Sequence, residues 1–495
     1  MTDQFAEVAE THVSTVFFAG DRAYKLLKPV KTGFLDFSTS ALRLEAATLE
    51  IELNRRIAPD VYLGVSDVVE AGSVVDRFIV MKRMPAERRL SVLLNDPESE
   101  SHVRRVARSI AQFHASLDPI RTQPSPASID AVKKNWDDNV EAMAPFVGTV
   151  LDAEQSERIV SLYRRFLKSR DQLFAQRIDS GLVRDGHGDL TAEDIFCLDD
   201  GPRILDCLAF DDSLRISDVL LDVAFLAMDI ERISGASTAV QFMESYTEFS
   251  NEHHPSSLLH HYVAYRAHVR AKVACLRFAQ GDPESAELAR RYLSLCLHHL
   301  ELAAVKLVLI GGAPGTGKTT LANSLSGQLN WIVLNSDELR KDIAGRGHED
   351  HEVAPFGEGI YSEEFNRLTY TTMLDQALYL LHQGESVVLD ASWPSEDLRA
   401  LARRTALSGG ADLKEFECRL PADQCKTRIS SRLLDPGRVD YSDATPEIVE
   451  KAIASREEWS TARALDASLD VSQLLTQIQA DLDLTDLDLT DLDLT

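Results

Sequence analysis

Cysteine is scarce in this chain and never comes in close pairs. The six cysteines, Cys197, Cys207, Cys275, Cys296, Cys418 and Cys425, form no C-x-x-C spacing. That argues against a disulfide framework or a thiolate zinc site and for the reduced thiols of a cytoplasmic protein. Long apolar runs are missing as well, and nothing approaches the ~20 residues a membrane helix needs. The opening residues, Met1-Thr-Asp-Gln-Phe-Ala-Glu, have no basic stretch followed by an apolar core, so no signal peptide is expected. Positive charge is in short supply. Lys and Arg total 52 against 79 Asp and Glu, a formal net charge of -27. This disfavours nucleic acid and membrane surfaces as partners, although a local basic groove remains compatible with it. A chain of 495 residues exceeds one core and predicts about three domains.

What is present begins with Leu307-Val-Leu-Ile-Gly-Gly-Ala-Pro-Gly-Thr-Gly-Lys-Thr-Thr320. The apolar run reads as a buried parallel strand and Leu321-Ala-Asn-Ser-Leu as the following helix. Between them Gly312-x-x-x-x-Gly317-Lys318-Thr319 fits the Walker A pattern in its proper strand–turn–helix context. Such a loop, with Gly315, Thr316 and Thr320 inside it, lets backbone N–H groups close on phosphate oxygens at a helix N-terminus. Lys318 is expected on the β/γ-phosphates of ATP, and the Thr319 hydroxyl on Mg²⁺.

Around this landmark the pattern divides. Residues 13–28 read as a hairpin turning at Ala19-Gly20-Asp21. Ser40 to about Ile57 is helical by period, with Ser40 as a possible cap, and Val65–Glu70 and Ser73–Met81 are strands. Residues 102–180 and 218–303 are mostly helical, with a strand-rich patch at Ile195–Leu198 and Arg203–Leu208. From Lys306 the chain alternates strand and helix, the signature of α/β with a parallel sheet: Lys306–Ile310, Trp331–Leu334, Ser386–Asp390 and Leu413–Arg419. The end is Asp481-Leu-Asp-Leu-Thr485 repeated twice more, acidic enough to predict a solvated, disordered tail; a partner-docking peptide is the alternative.

A second set of residues lies upstream. Leu182-Val-Arg-Asp-Gly-His187-Gly-Asp189-Leu-Thr-Ala-Glu-Asp194 runs into Ile204-Leu-Asp206, and Arg215-Ile-Ser-Asp218 leads to Asp222-Val-Ala. This resembles the catalytic loop, metal aspartate and downstream helix of aminoglycoside-phosphotransferase-like kinases, relatives of protein kinases with a small β lobe over a helical one. The resemblance implies Asp189 at the acceptor hydroxyl, with residue 194 and Asp206 on Mg²⁺. Lys25 in Ala23-Tyr24-Lys25 has the spacing of the phosphate-binding strand lysine, with Lys28 as fallback. Glu50 is the expected partner of that lysine, with Glu45 and Glu52 as rivals, and Met81 opens the hinge near the adenine. Position 194 is Asp where the family has Asn, position 191 is Thr and position 209 Ala where close relatives tend to carry His and Glu. These departures leave open an active kinase or a nucleotide-sensing pseudokinase.

Beyond Walker A, the order of features resembles small P-loop kinases of the zeta-toxin and polynucleotide-kinase type. Asn335-Ser336-Asp337 ends a strand, so Asp337 is either the base for an acceptor hydroxyl or a helix cap, and Arg340 holds substrate. Asp390 closes a Walker B-like strand as an Mg²⁺ or substrate group, or as another cap. Arg428 and Arg432 share a helical face and either clamp the transferring phosphoryl group or are solvated. Gly345 to Tyr361, with four glycines and His348 and His351, reads as a mobile substrate loop.

The whole predicts a bilobal, protein-kinase-like α+β domain at 1–303 (small lobe about 1–85, helical lobe about 86–303), an α/β P-loop NTPase domain with a parallel sheet at 304–475, and an acidic tail at 476–495. The resemblance implies an ATP- and Mg²⁺-dependent phosphotransferase acting on small-molecule hydroxyls. The alternatives are an ATP-binding regulatory or stress protein and a polynucleotide 5′-hydroxyl kinase.

Overall fold

The computed structural model describes residues 7–11, 13–31, 36–347, 359–433 and 444–482. Strands β1 (Glu7–Glu10), β2 (Ser14–Ala19), β3 (Arg22–Leu27), β4 (Tyr62–Glu70) and β5 (Ser73–Lys82) form an antiparallel sheet in the order β1-β2-β3-β5-β4. Helix Ser40–Arg55 packs on it through Ala47, Glu50, Ile51 and Asn54, the one-sided spacing of a helix against a sheet. Its cap is Thr39, whose hydroxyl accepts from Leu42 N at 3.3 Å, rather than Ser40. Strand β1 is fully exposed and carries little apolar signal, which is why the sequence does not announce it.

The helical lobe follows, with two short antiparallel strand pairs. One pairs β6 (Val183–Asp185) with β9 (Ile216–Asp218), and the other pairs β7 (Ile195–Leu198) with β8 (Gly201–Ile204). The expected strand at 203–208 stops at Ile204 because Asp206 takes a positive φ of 62°, which breaks the ladder. The lobe's core includes Trp136 stacked on Tyr163 with ring centroids 4.7 Å apart, both fully buried.

Strands β10 (Lys306–Gly312), β11 (Ile332–Asn335), β12 (Val387–Asp390), β13 (Asp412–Arg419) and β14 (Arg463–Asp466) make an all-parallel sheet in the order β11-β12-β10-β13-β14. Along β10 the side chains alternate between two cores. Val308 and Ile310 join one, Leu307 and Leu309 the other, as the two-residue period of a doubly covered strand requires. The sequence did not predict β14, since only Leu465 of its four residues is buried.

The two parts meet at the entry ends of β12 and β13. Buried Arg170 donates to the Gly409 carbonyl at 2.8 Å, Ser257 Oγ donates to the Gly384 carbonyl at 2.7 Å, and Arg165 pairs with Asp412 at 2.6 Å. A parallel sheet has all its exit ends at the opposite edge, so the loop after β10 points away from the helical lobe.

Helix Val471–Asp481 corrects the expected start of the tail. It places Leu474, Leu475 and Ile478, followed by Leu482, in the core beside β10, so packed chain reaches at least Leu482 rather than 475. The remaining repeats, 483–495, lie outside the described residues, as do His348 and His351 of the expected substrate loop.

Candidate functional sites

In the N-terminal part, Lys25 on β3 is the hub. Its Nζ donates to Glu50 Oε1 at 2.9 Å and to Asp206 Oδ1 at 3.0 Å. Burial works against the ammonium, but the charges of Asp206 and Glu50 overcome it and raise the lysine well above its ordinary value. Lys25 in turn holds the Asp206 carboxyl below the usual range. Glu45 and Glu52 are exposed, and Lys28 pairs instead with Glu10 at 2.5 Å. Met81 sits opposite Ala23 across the β3–β5 ladder, two residues from Lys25.

The loop at 187–189 is fixed from below by a residue without an assigned role in the sequence reading. Asp222, buried in helix Val219–Ser234, accepts from His187 N at 2.7 Å and Gly188 N at 2.8 Å and meets His114 Nε2 at 3.2 Å. Burial tends to raise this carboxyl, yet the hydrogen bond and charge of His114, with those of His187, hold it well below the carboxylate range. Such a depressed group stabilises the fold above the unfolded value of about 4 and loses that contribution as pH falls. Asp222→Ala leaves two buried N–H groups unpaired. It is expected to destabilise the fold by about 2–4 kcal/mol in urea titrations at neutral pH, with the gap from the parent protein narrowing in acid. Equal stability of the two proteins at neutral pH would remove Asp222 as the loop's support.

Around that support, His187 Nε2 donates to the Leu205 carbonyl at 3.0 Å, and burial lowers the ring's pKa below its ordinary value. Asn54 Oδ1 accepts from Cys207 N at 2.9 Å, and Arg56 donates to the carbonyls of Asp185 and Gly186 at 2.8 Å. The helix that carries Glu50 is thereby tied to both the 187–189 loop and the Asp206 turn. Asp189 has its pKa raised to about 6 by burial. Asp194 accepts from Thr191 Oγ1 at 2.7 Å, and burial together with the charge of Asp206 pushes it up to about 8.

In the C-terminal part the loop after β10 takes the expected shape. Gly312 has φ 145°, and a Cβ there would stand 2.6 Å from the Cys418 carbonyl oxygen, so no side chain fits. Lys318 opens helix Lys318–Leu329, with Nζ donating to the Ala313 carbonyl at 3.2 Å. Asp390, at the end of β12, is buried and hydrogen-bonded by the Thr319 hydroxyl. Burial raises it, and the charge of Lys318 opposes that.

Asp390 caps nothing, since the next helix, Glu396–Ser408, begins at Ser395. Nor is Asp337 the cap of helix Ser336–Ile343. Asn335 fills that place, accepting from Asp337 N at 2.8 Å and Glu338 N at 3.0 Å while its Nδ2 donates to Asp390 at 2.5 Å. Its position, an Asn between strand and helix, is the available sequence signal for this double role. Asp337 is left facing the cleft and pairs with Arg340, whose guanidinium lies 4.7 Å from the Tyr361 ring centroid and donates to Asn366 Oδ1 at 2.9 Å.

Arg428 donates to Thr316 O in the phosphate loop at 3.3 Å and to Ala467 O at 2.9 Å; Arg432 donates to Ala444 O at 3.4 Å. Both arginines line the cleft, together with the loop, Asp337, Arg340 and Asp390. Its volume of about 2170 Å³ exceeds the roughly 300–1,000 Å³ of a single small-ligand site.

Comparison with known proteins agrees with this division. The model of the phosphotransferase enzyme family matches residues 33–259, and a model described as an AAA domain matches residues 307–459. An uncharacterized protein of Mycobacterium tuberculosis is 37% identical over 471 residues, 94% of each chain, and one of Mycobacterium bovis shares the same figures. Among solved structures, the GDP and kanamycin complex of APH(2")-IIia is 14% identical over 61% of this chain and 94% of its own, with a TM-score of 0.37. The APS kinase of Mycobacterium tuberculosis in complex with AMPPNP and APS is 19% identical over 36% and 97%, with a TM-score of 0.28. The chain belongs to the family of these mycobacterial relatives, and in it a phosphotransferase-enzyme-family domain is followed by a P-loop domain.

Proposed function

We propose that this protein is an ATP- and Mg²⁺-dependent phosphotransferase with two nucleotide sites, each passing a phosphoryl group to a hydroxyl of a small molecule. The observation that carries the reading is the convergence of Lys318, Thr319, Asp390, Asp337 and Arg428 on one cleft. The Thr319 hydroxyl and Asp390 carboxylate are hard oxygen donors in contact, which suits Mg²⁺. When bound, the cation supplies charge neutralisation to the phosphates. Lys318 and the loop amides orient the phosphates, Asp337 takes the acceptor's proton, and Arg428 and Arg432 stabilise charge on the transferring group. At the other site Lys25, steered by Glu50, would hold phosphates, Asp206 and Asp194 would serve the metal, and Asp189 would serve the acceptor.

The cleft's wall is mixed in charge, with Arg367, Arg404 and Lys451 near Glu363, Asp397 and Glu447. That suits a small molecule better than a polynucleotide, whose backbone calls for a continuous basic track. The test is incubation of the intact protein with Mg·ATP and a pool of hydroxylated metabolites, read by mass spectrometry. A product heavier by one phosphoryl group is expected. ATP left unconsumed, or hydrolysed with no phosphorylated product, sinks the reading.

A further inference from the structure

Asn335 and Asp390 are the last residues of the neighbouring strands β11 and β12, and they stand side by side in the parallel register. The exit ends of a parallel sheet open on the ligand crevice, and both residues line the cleft.

The Asn335 amide is used at both of its ends. Its Oδ1 accepts from Asp337 N at 2.8 Å and Glu338 N at 3.0 Å, and its Nδ2 donates to Asp390 Oδ2 at 2.5 Å. The network decides which end is oxygen. Turned over, the amide would set its NH₂ against two backbone N–H groups and its oxygen against a carboxylate. The helix cap therefore fixes the plane of the amide, and the amide fixes one oxygen of Asp390.

Asp390 is buried, so its carboxylate depends on such partners. The Thr319 hydroxyl is another, but a hydroxyl is a rotor and this one is also suited to a phosphate-bound cation. Asn335 is the partner that cannot turn. A cap alone does not call for asparagine, since serine or aspartate serves as well. Serine has a single oxygen for both tasks and an ionised aspartate has no donor. The amide carries acceptor and donor on one rigid plane.

We propose that Asn335 is a positioning residue of the P-loop site, whose amide locks the Asp390 carboxylate in the orientation that Mg²⁺ binding uses. This rests on the role proposed for Asp390 at the metal and adds a residue that acts on the cation through another. Removing the hydrogen-bond partner of a metal-site group costs about 10–100-fold in metal affinity.

The test uses the full chain carrying Asp206→Ala, which removes the metal carboxylate proposed for the N-terminal site. ATP binding is followed by calorimetry in EDTA and across a Mg²⁺ titration, and stability by urea unfolding. Asn335→Ser keeps a good cap and deletes the donor. It should match the background protein in urea midpoint and in ATP binding under EDTA, while needing about 10–100-fold more Mg²⁺ for the metal-dependent gain in affinity. Asn335→Ala loses cap and donor together, and should show the same Mg²⁺ shift with a lower urea midpoint. If Asn335→Ala fails to fold, Asn335→Ser decides.

A residue that only caps gives another pattern, in which Asn335→Ala lowers the urea midpoint and Asn335→Ser leaves the Mg²⁺ titration unchanged. That result overturns the proposal. Lys318→Ala in the same background tests the reading beneath it. If Lys318→Ala weakens ATP binding while Asn335→Ser leaves the Mg²⁺ requirement as it was, the positioning role alone is lost. If neither Lys318→Ala nor Mg²⁺ alters ATP binding, the P-loop reading falls and the proposal with it.

Discussion

Lys318→Ala is expected to lower turnover at the P-loop site by about 10²–10³-fold, the scale on which a preorganised charged donor acts. Lys318 opens its helix beside the glycine-rich loop, and its Nζ already reaches back to the Ala313 carbonyl. A unit charge about 4 Å from a phosphate oxygen is worth roughly 4 kcal/mol at an effective dielectric of 20, enough for about three orders of magnitude in rate. The side chain is only half buried, so the loss should leave folding intact. The measurement is ATP turnover by the full chain with Asp189→Asn also present, so that the N-terminal site does not contribute. Turnover within about threefold of the parent would mean that the loop does not handle phosphates in the way its geometry indicates.

How far the sequence carries the structure depends on how local each feature is. The phosphate loop is written in consecutive residues, and both its strand and its helix fall where the pattern puts them. Lys25, Glu50 and Asp206 are far apart in the chain; the resemblance to phosphotransferase-like kinases, with Glu45 and Glu52 as rivals to Glu50, suggests the grouping, and in the structure Lys25 lies within 3.0 Å of both Glu50 and Asp206.

What was not legible depends on long-range packing. Asp222 reads as one acid in an apolar helix, and only the fold reveals that both its oxygens hold the loop at 187–188. Arg170 looks like a surface arginine after a helix, whereas the fold buries it against Gly409, 239 residues away. The helix ending at Asp481 was hidden because its last turn runs into the five-residue acidic repeat. Period alone assigns Leu482 to a solvated tail, but the core of the P-loop part takes it in. Asn335 carries no sequence mark of its double role beyond its place between strand and helix, because a helix cap and a carboxylate-orienting amide are the same residue type.

The second large effect concerns Asp189. Its carboxyl is lifted to about 6, chiefly by burial, against the opposing charges of Arg270 and Arg266. A proton acceptor works only when ionised, so a raised value means that acid switches the site off. Transfer by the N-terminal site, measured in the full chain carrying Lys318→Ala, should rise tenfold per pH unit below about 6 and level off above it. Removing the opposing charge at Arg270 should move that inflection upward, because an arginine near a carboxylate favours the ionised form. Asp189→Asn keeps the shape but cannot take the proton. It is expected to cost about 10²–10⁴-fold in transfer while ATP affinity, which the proposed function assigns to Lys25 and Asp206, holds. A flat profile between pH 5 and pH 7 (about one unit either side of the inflection), together with an active Asn variant, would leave Asp189 a structural residue. The N-terminal half would then be a nucleotide-binding domain without transfer chemistry of its own.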